Sequence, residues 1–281
     1  MAANVQPEFE TVAAVIVTRN RRENLRHCLE TLLAQTYPLS AVFVVDNSST
    51  DGTAEMVKGE FSPAIYHRLP DNVGSGGGYR TGLGLAFEEG ASWLWAIDDE
   101  VVLEPDVLER MMARVAQPHR VADILLPAEF DPQTGRTRVH QAWYGPLIHR
   151  DVVAAIGLPM EEFFFWAADS EFFGRARSTG KFKILRAPDI VVTHDKRNPD
   201  VLEAKRHPSR LYYQTRNTIY IRRHIQRSPY KTVRSLVRVA LGRAAKVIFS
   251  REPRKLQKTV MIFRGALDGL RGRLGKTVEI G

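Results

Sequence analysis

The 281-residue chain holds one cysteine, Cys28. A lone thiol excludes an internal disulfide framework, which suits a reducing compartment. Cys28 stands among Leu25, Leu29, Leu32 and Leu33 at helical spacing, the surroundings of a buried apolar thiol rather than of a nucleophile. No window approaches the roughly 20 apolar residues that a bilayer span needs. No basic lead precedes the short apolar stretch Val12 to Val17, so neither an exported nor a membrane-spanning protein is expected. Internal repeats and low-complexity segments are also missing. Acids are scarce in one region only. Residues 205–281 carry 3 Asp+Glu against 20 Lys+Arg, or +17, whereas residues 1–204 carry 29 against 20, or −9. An acidic body is thus joined to a basic tail, and nucleic acid, an anionic membrane surface or an acidic partner would each suit that tail.

What is present is regular. With 44% hydrophobic residues the chain can bury the core of one large domain, or of one domain with an appendage. Val12 to Thr18 is a β-rich apolar run that ends in polar TRNRR and is followed by the helical pattern around Cys28. Ala41 to Val45 is a second run, closed by Asp46, Asn47, Ser48 and Ser49, with Thr50 or Asp51 placed to cap the next helix. Tyr66 to Leu69 is a weak strand; the glycine-rich turn Asn72 to Gly78 leads to a helix through Leu83 and Phe87; Trp93 to Ile97 is the next strand. Strands alternating with helices predict an α/β fold with a mostly parallel central sheet flanked by helices. Beyond it, Val107, Leu108, Met111, Met112 and Val115 predict a helix, Asp131 to Gly135 a turn between strands, Asp151 to Ile156 a short helix, and Ile184 to Thr193 a late strand broken by Pro188. From about Pro229, Val233, Leu236, Val237, Ala240, Leu241, Ala244, Val247 and Ile248 form one face of a helix whose other face bears Arg234, Arg238, Arg243 and Lys246. A weaker helix runs from about Val260 to Leu274.

In parallel sheets, ligands bind beyond the carboxyl ends of the strands. Four polar clusters fall there: Thr18-Arg19-Asn20, Asp46-Asn47-Ser48, the loop Asn72 to Gly78, and Asp98-Asp99-Glu100. Glycine lets backbone approach a phosphate or a sugar edge, yet NVGSGGG fits a dinucleotide fingerprint poorly and follows the third unit rather than the first. Three adjacent acids at a buried strand end repel one another without a counter-charge. Carboxylates two residues apart can share one hard divalent cation of the kind that bridges a nucleotide's phosphates, or the acids can serve as helix-capping residues.

The stretches IVTRNRRENLRHCLETLLAQ, VVDNSSTDGT, NVGSGGGYRTG, WAIDDEVVLEPD and FFFWAADSEFFGRARSTG occur in an order and spacing that resemble family 2 glycosyltransferases of the GT-A fold, over roughly Val12 to Asp195. The branch most resembled includes bacterial rhamnosyl- and galactofuranosyltransferases, and YYQTRNTIYIRRH is a further echo. The resemblance implies a Rossmann-like GT-A catalytic domain over 1–204, with a nucleotide-sugar half to about 120 and an acceptor half over 121–204, followed by a basic helical region over 205–281. It places Thr18, Arg19 and Asp46 on the nucleotide's base and ribose, and Asn72, Gly76 and Gly77 against the donor together with Asp98 and Asp99. Asp98 and Glu100 take the ends of the family's D-x-D and, with His194, the metal ligands for Mg²⁺ or Mn²⁺. Glutamate here replaces the usual last aspartate. Asp169 matches the catalytic base, and Ala168 stands where another acid is usual; Asp169 is also placed to cap the helix that follows.

For the acceptor, Trp143 and Tyr144 are placed to stack on a sugar or to pack in their loop, and Trp166 and Glu171 are further acceptor-binding candidates. The implied reaction is inverting transfer from a UDP- or dTDP-linked sugar to a glycan or a polyprenyl-diphosphate-linked acceptor in cell-surface polysaccharide synthesis, on the cytoplasmic face of the membrane. Arginines from Arg210 to Arg223, interleaved with tyrosines, resemble a single-stranded nucleic-acid surface; the reading adopted faces them to a phosphate-bearing lipid acceptor or the bilayer, with no nucleic acid as partner. The alternatives are a sugar nucleotidyltransferase, whose glycine-rich basic loop after the first strand TRNRRENL lacks, and a non-catalytic glycan- or nucleotide-binding relative.

Overall fold

The VAAVIVT segment forms β1 (Val12–Thr18) with all seven residues buried, as a strand covered on both faces must be. In this computed structural model, which describes residues 10–115, 120–195 and 207–279, β1 pairs in parallel with β2 (Ala41–Asp46) and with β4 (Trp93–Asp98). Strand β3 (Ile65–Arg68) lies parallel outside β2, so the order is β3-β2-β1-β4 and the direction of winding reverses between β1 and β4. Register then decides where the polar strand ends fall: Thr18 is level with Asp46, and Val17 with Asp98. Three of the four polar clusters therefore share one edge, at the switch point where such sheets bind ligands.

Past β4 the sheet is mixed. Strand β8 (Tyr144–His149) runs antiparallel to β4, β6 (Ile124–Asp131) antiparallel to β8, and β9 (Ile184–His194) parallel to β6. The hairpin β6–β7 (Arg136–Val139) turns through Gly135 at φ +63°. The short β5 (Val101–Val102) pairs with the end of β9, setting Val101 opposite His194, and this pairing carries the late histidine to the acid triplet. Pro188 does not break β9. The register jumps from Pro127↔Ala187 to Ala128↔Val191, so the residues around the proline bulge out of the ladder and its missing N–H costs the strand only a local irregularity.

Helix α1 (Arg22–Leu33) buries Leu25, Cys28, Leu29 and Leu32, while Leu33 is exposed. Helices α2 (Thr53–Glu60), α3 (Gly74–Glu88), α4 (Val107–Val115) and α5 (Arg150–Ile156) follow. All five apolar residues expected for α4 are buried.

The chain divides into two compact units: the described residues of Met1–Pro70, Thr81–Gly157 and Phe182–Asp195, which hold the sheet, and those of Asp71–Arg80, Leu158–Lys181 and Lys196–Gly281. The charge boundary at 204/205 is thus not the boundary of compactness. Helix α6 (Ala168–Ser178) shares the second unit with α7 (Pro208–Tyr220), α8 (Pro229–Ser235), α9 (Gly242–Phe249) and α10 (Lys255–Arg271). Wide π-helical turns continue α7 over Ile221–Ile225 and join α8 to α9 over Leu236–Leu241. Helix α10 lies against α7 with backbone on backbone: a Cβ at Gly265 would sit 2.4 Å from the Tyr212 carbonyl oxygen, and one at Gly269 2.5 Å from that of Arg216.

Candidate active site

At the shared edge of β1, β2 and β4 the counter-charge to the acids is a side chain that the sequence reading did not single out. Arg21, at the start of α1, donates from Nη1 to Asp99 Oδ1 at 2.9 Å and stands 2.6 Å from Glu100 Oε1. Thr18 Oγ1 donates to the other Asp99 oxygen at 2.7 Å. Asp99 and Glu100 are buried and Asp98 half-buried. The Asp99 carboxylate, seconded by Glu100, holds the Arg21 guanidinium far above its already high ordinary range, so Arg21 is a permanent cation. Burial pushes the Asp99 carboxyl up, and Arg21 opposes that shift.

The β1 and β2 ends are tied together across the edge. Asn20, at φ +50°, donates its backbone N–H to Ser49 Oγ at 2.9 Å and accepts from the Thr50 N–H at 2.8 Å. Asp46 is wholly buried: its Oδ1 accepts from the Ser49 N–H at 2.9 Å and the Ser49 hydroxyl at 2.5 Å, and its Oδ2 accepts from the Tyr66 hydroxyl with Arg68 3.5 Å away. Both oxygens are engaged inside the fold, so Asp46 organises this edge. Arg19 is exposed beside it. An open cleft of about 520 Å³, lined by Ser49, Thr50, Gly52, Glu55 and Arg68 among others, adjoins these residues.

Across β5 and β9, His194 lies between two carboxylates, Nε2 2.9 Å from Glu100 Oε2 and Nδ1 2.8 Å from Glu129 Oε1. His140 Nε2 is 3.1 Å from the other Glu129 oxygen. Among the described residues no group of three or more His, Cys, Asp or Glu is arranged to hold a metal ion, so the expected trio of Asp98, Glu100 and His194 is not assembled as such. The pair Glu100–His194 is assembled. Its 2.9 Å separation is about that of two neighbouring ligands on a cation bound at roughly 2.1 Å. Glu129 gives His194 the second carboxylate partner that ring-oriented metal ligands typically have. Two donors alone make no metal site among the described residues; a Mg²⁺ or Mn²⁺ here would draw most of its coordination shell from water and substrate phosphates.

The expected stacking pair divides. Trp143 is buried, and its carbonyl accepts from the Asp98 N–H at 2.8 Å, so it packs in the sheet rather than meeting a sugar. The half-buried Tyr144 ring lies on His194, centroids 4.2 Å apart.

In the second unit, NVGSGGG is not a turn. Asn72 accepts from the Gly74 N–H at 2.9 Å and the helix begins there, placing Gly76 and Gly77 in the first turns of α3. A Cβ at Gly74 would lie 1.9 Å from the Phe164 carbonyl oxygen, one at Gly76 3.0 Å from that of Met160, and one at Gly77 2.5 Å from Val73 Cγ2. These glycines serve close packing against residues 160–164 and Val73, which corrects the reading of this stretch as an open loop.

That packing supports the strained segment before Asp169. Phe164, Trp166 and Ala167 have φ of +47°, +68° and +67°, conformations costing on the order of 1–2 kcal/mol per residue. Asn217 on α7 holds them, its amide nitrogen lying 3.0, 2.9 and 2.6 Å from the carbonyl oxygens of Phe163, Phe165 and Trp166. Arg216, beside it, is wholly buried, donating to the carbonyl oxygens of Gly275 at 2.6 Å and Glu162 at 3.3 Å and lying 4.8 Å from the Tyr213 ring. The reading of this arginine as facing lipid is overturned: it ties the Asp169 segment to the C-terminal residues.

Asp169 is the second residue of α6 and is half-buried, its carboxylate accepting from the Ser170 N–H. Burial raises its pKa to about 6, and the Ser170 hydrogen bond opposes the rise. Among the described residues no cation pairs with it. Ala168 packs with Phe163 and Ile221, so an acid there would lie in an apolar cluster. Glu171 is wholly buried, bonded to Arg175 and to the Met160 N–H at 3.2 Å, so it is a structural group and not one that meets an acceptor. Trp166 is exposed.

Residues 13–176, more than half of the chain, match the model of glycosyl transferase family 2. The galactofuranosyltransferase GlfT1 of Mycolicibacterium smegmatis is 31% identical over 115 residues, 41% of this chain and 38% of that protein, so the match spans well under half of the relative's length. A solved mannosyltransferase, PcManGT from Pyrobaculum calidifontis in complex with GDP-Man and Mn²⁺, superposes with a TM-score of 0.58 at 16% identity, covering 93% of this chain and 87% of that one. S. aureus TarS 1–349 in complex with UDP-GlcNAc gives 0.59 at 16% identity, covering 92% and 81%. At such identities the two structures speak to the fold alone, and the fold is GT-A. The winding reversal between β1 and β4, the polar edge and the extent of the family match agree: this chain belongs to glycosyl transferase family 2.

Proposed function

We propose that the protein is an inverting glycosyltransferase that moves a sugar from a nucleoside-diphosphate donor to the hydroxyl of a glycan or lipid-linked acceptor. The observation that carries this reading is the Asp169 carboxyl, half-buried, without a cationic partner among the described residues, and shifted to about 6. A carboxylate of that basicity is matched to proton abstraction near neutral pH. The acceptor oxygen attacks the anomeric carbon on the face opposite the diphosphate; the new C–O bond forms as the bond to the diphosphate oxygen breaks, and the acceptor's proton passes to Asp169. A single displacement from the face opposite the leaving group inverts the anomeric carbon. Thr18, Arg19 and Asp46 order the edge that receives base and ribose, with Asp98 and Asp99. A Mg²⁺ or Mn²⁺ on Glu100 and His194, with Asp98 near by in sequence, would supply charge neutralisation for the departing diphosphate. Arg21 contributes fixed positive charge to the same acids.

The donor is UDP- or dTDP-linked, with galactofuranose and rhamnose favoured by the likeness to GlfT1 and by the motifs. Residues to about 120 serve the donor and 121–204 the acceptor; the acceptor is a glycan, borne on a polyprenyl diphosphate at the cytoplasmic membrane face, in cell-surface polysaccharide synthesis. A panel of UDP- and dTDP-sugars, with and without Mn²⁺, followed by nuclear magnetic resonance of the product anomer, tests the reading. A Mn²⁺-dependent product of inverted configuration supports it; donor binding without transfer to any acceptor would leave a binding protein.

A further inference from the structure

Among the described residues, ten of the thirteen large apolar side chains left exposed lie between Tyr230 and Leu267. They are not scattered. Tyr230, Val233, Val237 and Leu241 recur at three- and four-residue steps along the helical segment from Pro229, and Leu256, Val260, Phe263 and Leu267 do so along α10. The opposite faces of the same helices are filled: Ala240, Ala244 and Val247 pack with Ile262 and Ala266. Each helix therefore buries one apolar face in the second unit and keeps a second apolar stripe in water. Between the stripes, at the turn from α9 to α10, Phe249 is 88% and Leu256 79% exposed, the opposite of what folding alone would select.

The borders of the stripes are cationic. Arg234, Arg238 and Lys246 are exposed along the first segment, and Arg264 and Arg271 flank the second, one and four residues beyond Phe263 and Leu267. We propose that these two stripes and the turn between them form a docking face for an anionic phospholipid bilayer, lying in the headgroup region with Phe249 and Leu256 inserted. Charge selects this occupant. A second copy would bring the same +17 region against itself, whereas acidic headgroups receive the arginines while acyl chains receive the apolar side chains. Among the described residues no helix is long and apolar enough to cross the membrane, so the segment lies on the surface and does not span it. The inference rests on the membrane-borne acceptor of the preceding reading for its purpose, but not for its geometry.

The test is co-sedimentation of the full chain with phosphatidylglycerol-containing vesicles and with pure phosphatidylcholine vesicles, at low and high salt. Two variants accompany it: Phe249→Ser with Leu256→Ser and Phe263→Ser, and Tyr230→Ser with Val237→Ser, each checked by circular dichroism melting and light-scattering mass. Wild type is expected on the anionic vesicles only, released by high salt, with each variant folded and bound about tenfold more weakly. Absence of wild-type binding, binding by both variants equal to wild type, or a wild-type dimer that both variants convert to monomer would overturn the proposal. No sugar donor enters the assay, so its failure leaves the transferase reading standing, and a failed transfer assay leaves the docking face standing.

Discussion

Asp169 and Arg21 show how burial and pairing set the charge of single side chains. Because folding raises the Asp169 pKa to about 6, the native state holds that proton more tightly than the unfolded chain does. Stability is therefore unaffected below the unfolded value near 4 and falls as pH rises through 4 to 6, after which the ionised, half-buried carboxylate opposes folding by up to about 3 kcal/mol. Asp169→Asn should melt higher than wild type at pH 7 and equally at pH 4; an equal melting temperature at both would show that the site is solvated. Arg21 has the opposite role. Arg21→Ala leaves Asp99 and Glu100 buried without their cation and should cost about 2–4 kcal/mol in urea unfolding, partly recovered when Mn²⁺ is added.

The elements show why some features were legible in the sequence and others not. Asn217→Ala removes the amide that spans three carbonyl oxygens of the strained segment; unfolding free energy should drop by about 1–3 kcal/mol and turnover should fall more than donor affinity. Gly265→Ala drives a methyl to within 2.4 Å of the Tyr212 carbonyl oxygen and should destabilise α10 on α7 by about 2 kcal/mol or more, while Gly174→Ala, with nothing within 4 Å, should be neutral to slightly stabilising. Continuous apolar runs announced β1, β2 and β4, and their polar ends announced the edge, because burial on both faces leaves an unbroken pattern. The α3 start was misread, since a run of glycines reads as a turn whenever the backbone it must pack against is distant in sequence. Arg216 was placed at the surface because charge usually is; its burial depends on carbonyl oxygens more than fifty residues away. Arg21 and Glu129 were missed for the same reason, their partners Asp99 and His194 lying 78 and 65 residues along the chain. Ala168, by contrast, was seen as a departure, and its apolar neighbours give the reason.

At the scale of the whole molecule, charge and compactness divide the chain at different places. The +17 of residues 205–281 marks the tail by composition, yet the tail helices complete the unit that contains Asp169, through Arg216, Asn217 and the glycines of α10. The tail is accordingly both a support for the Asp169 segment and the carrier of two exposed apolar stripes, and removing it should cost stability as well as the proposed docking face. The central assignment is Asp169 as the group that takes the acceptor's proton. Its most direct test is the Asp169→Asn enzyme, with transfer rate and nucleotide-sugar affinity measured on the same preparation. The rate should fall by about 10²–10⁴ while the donor Kd stays within about twofold; an undiminished rate, or a parallel loss of donor binding, would contradict the assignment.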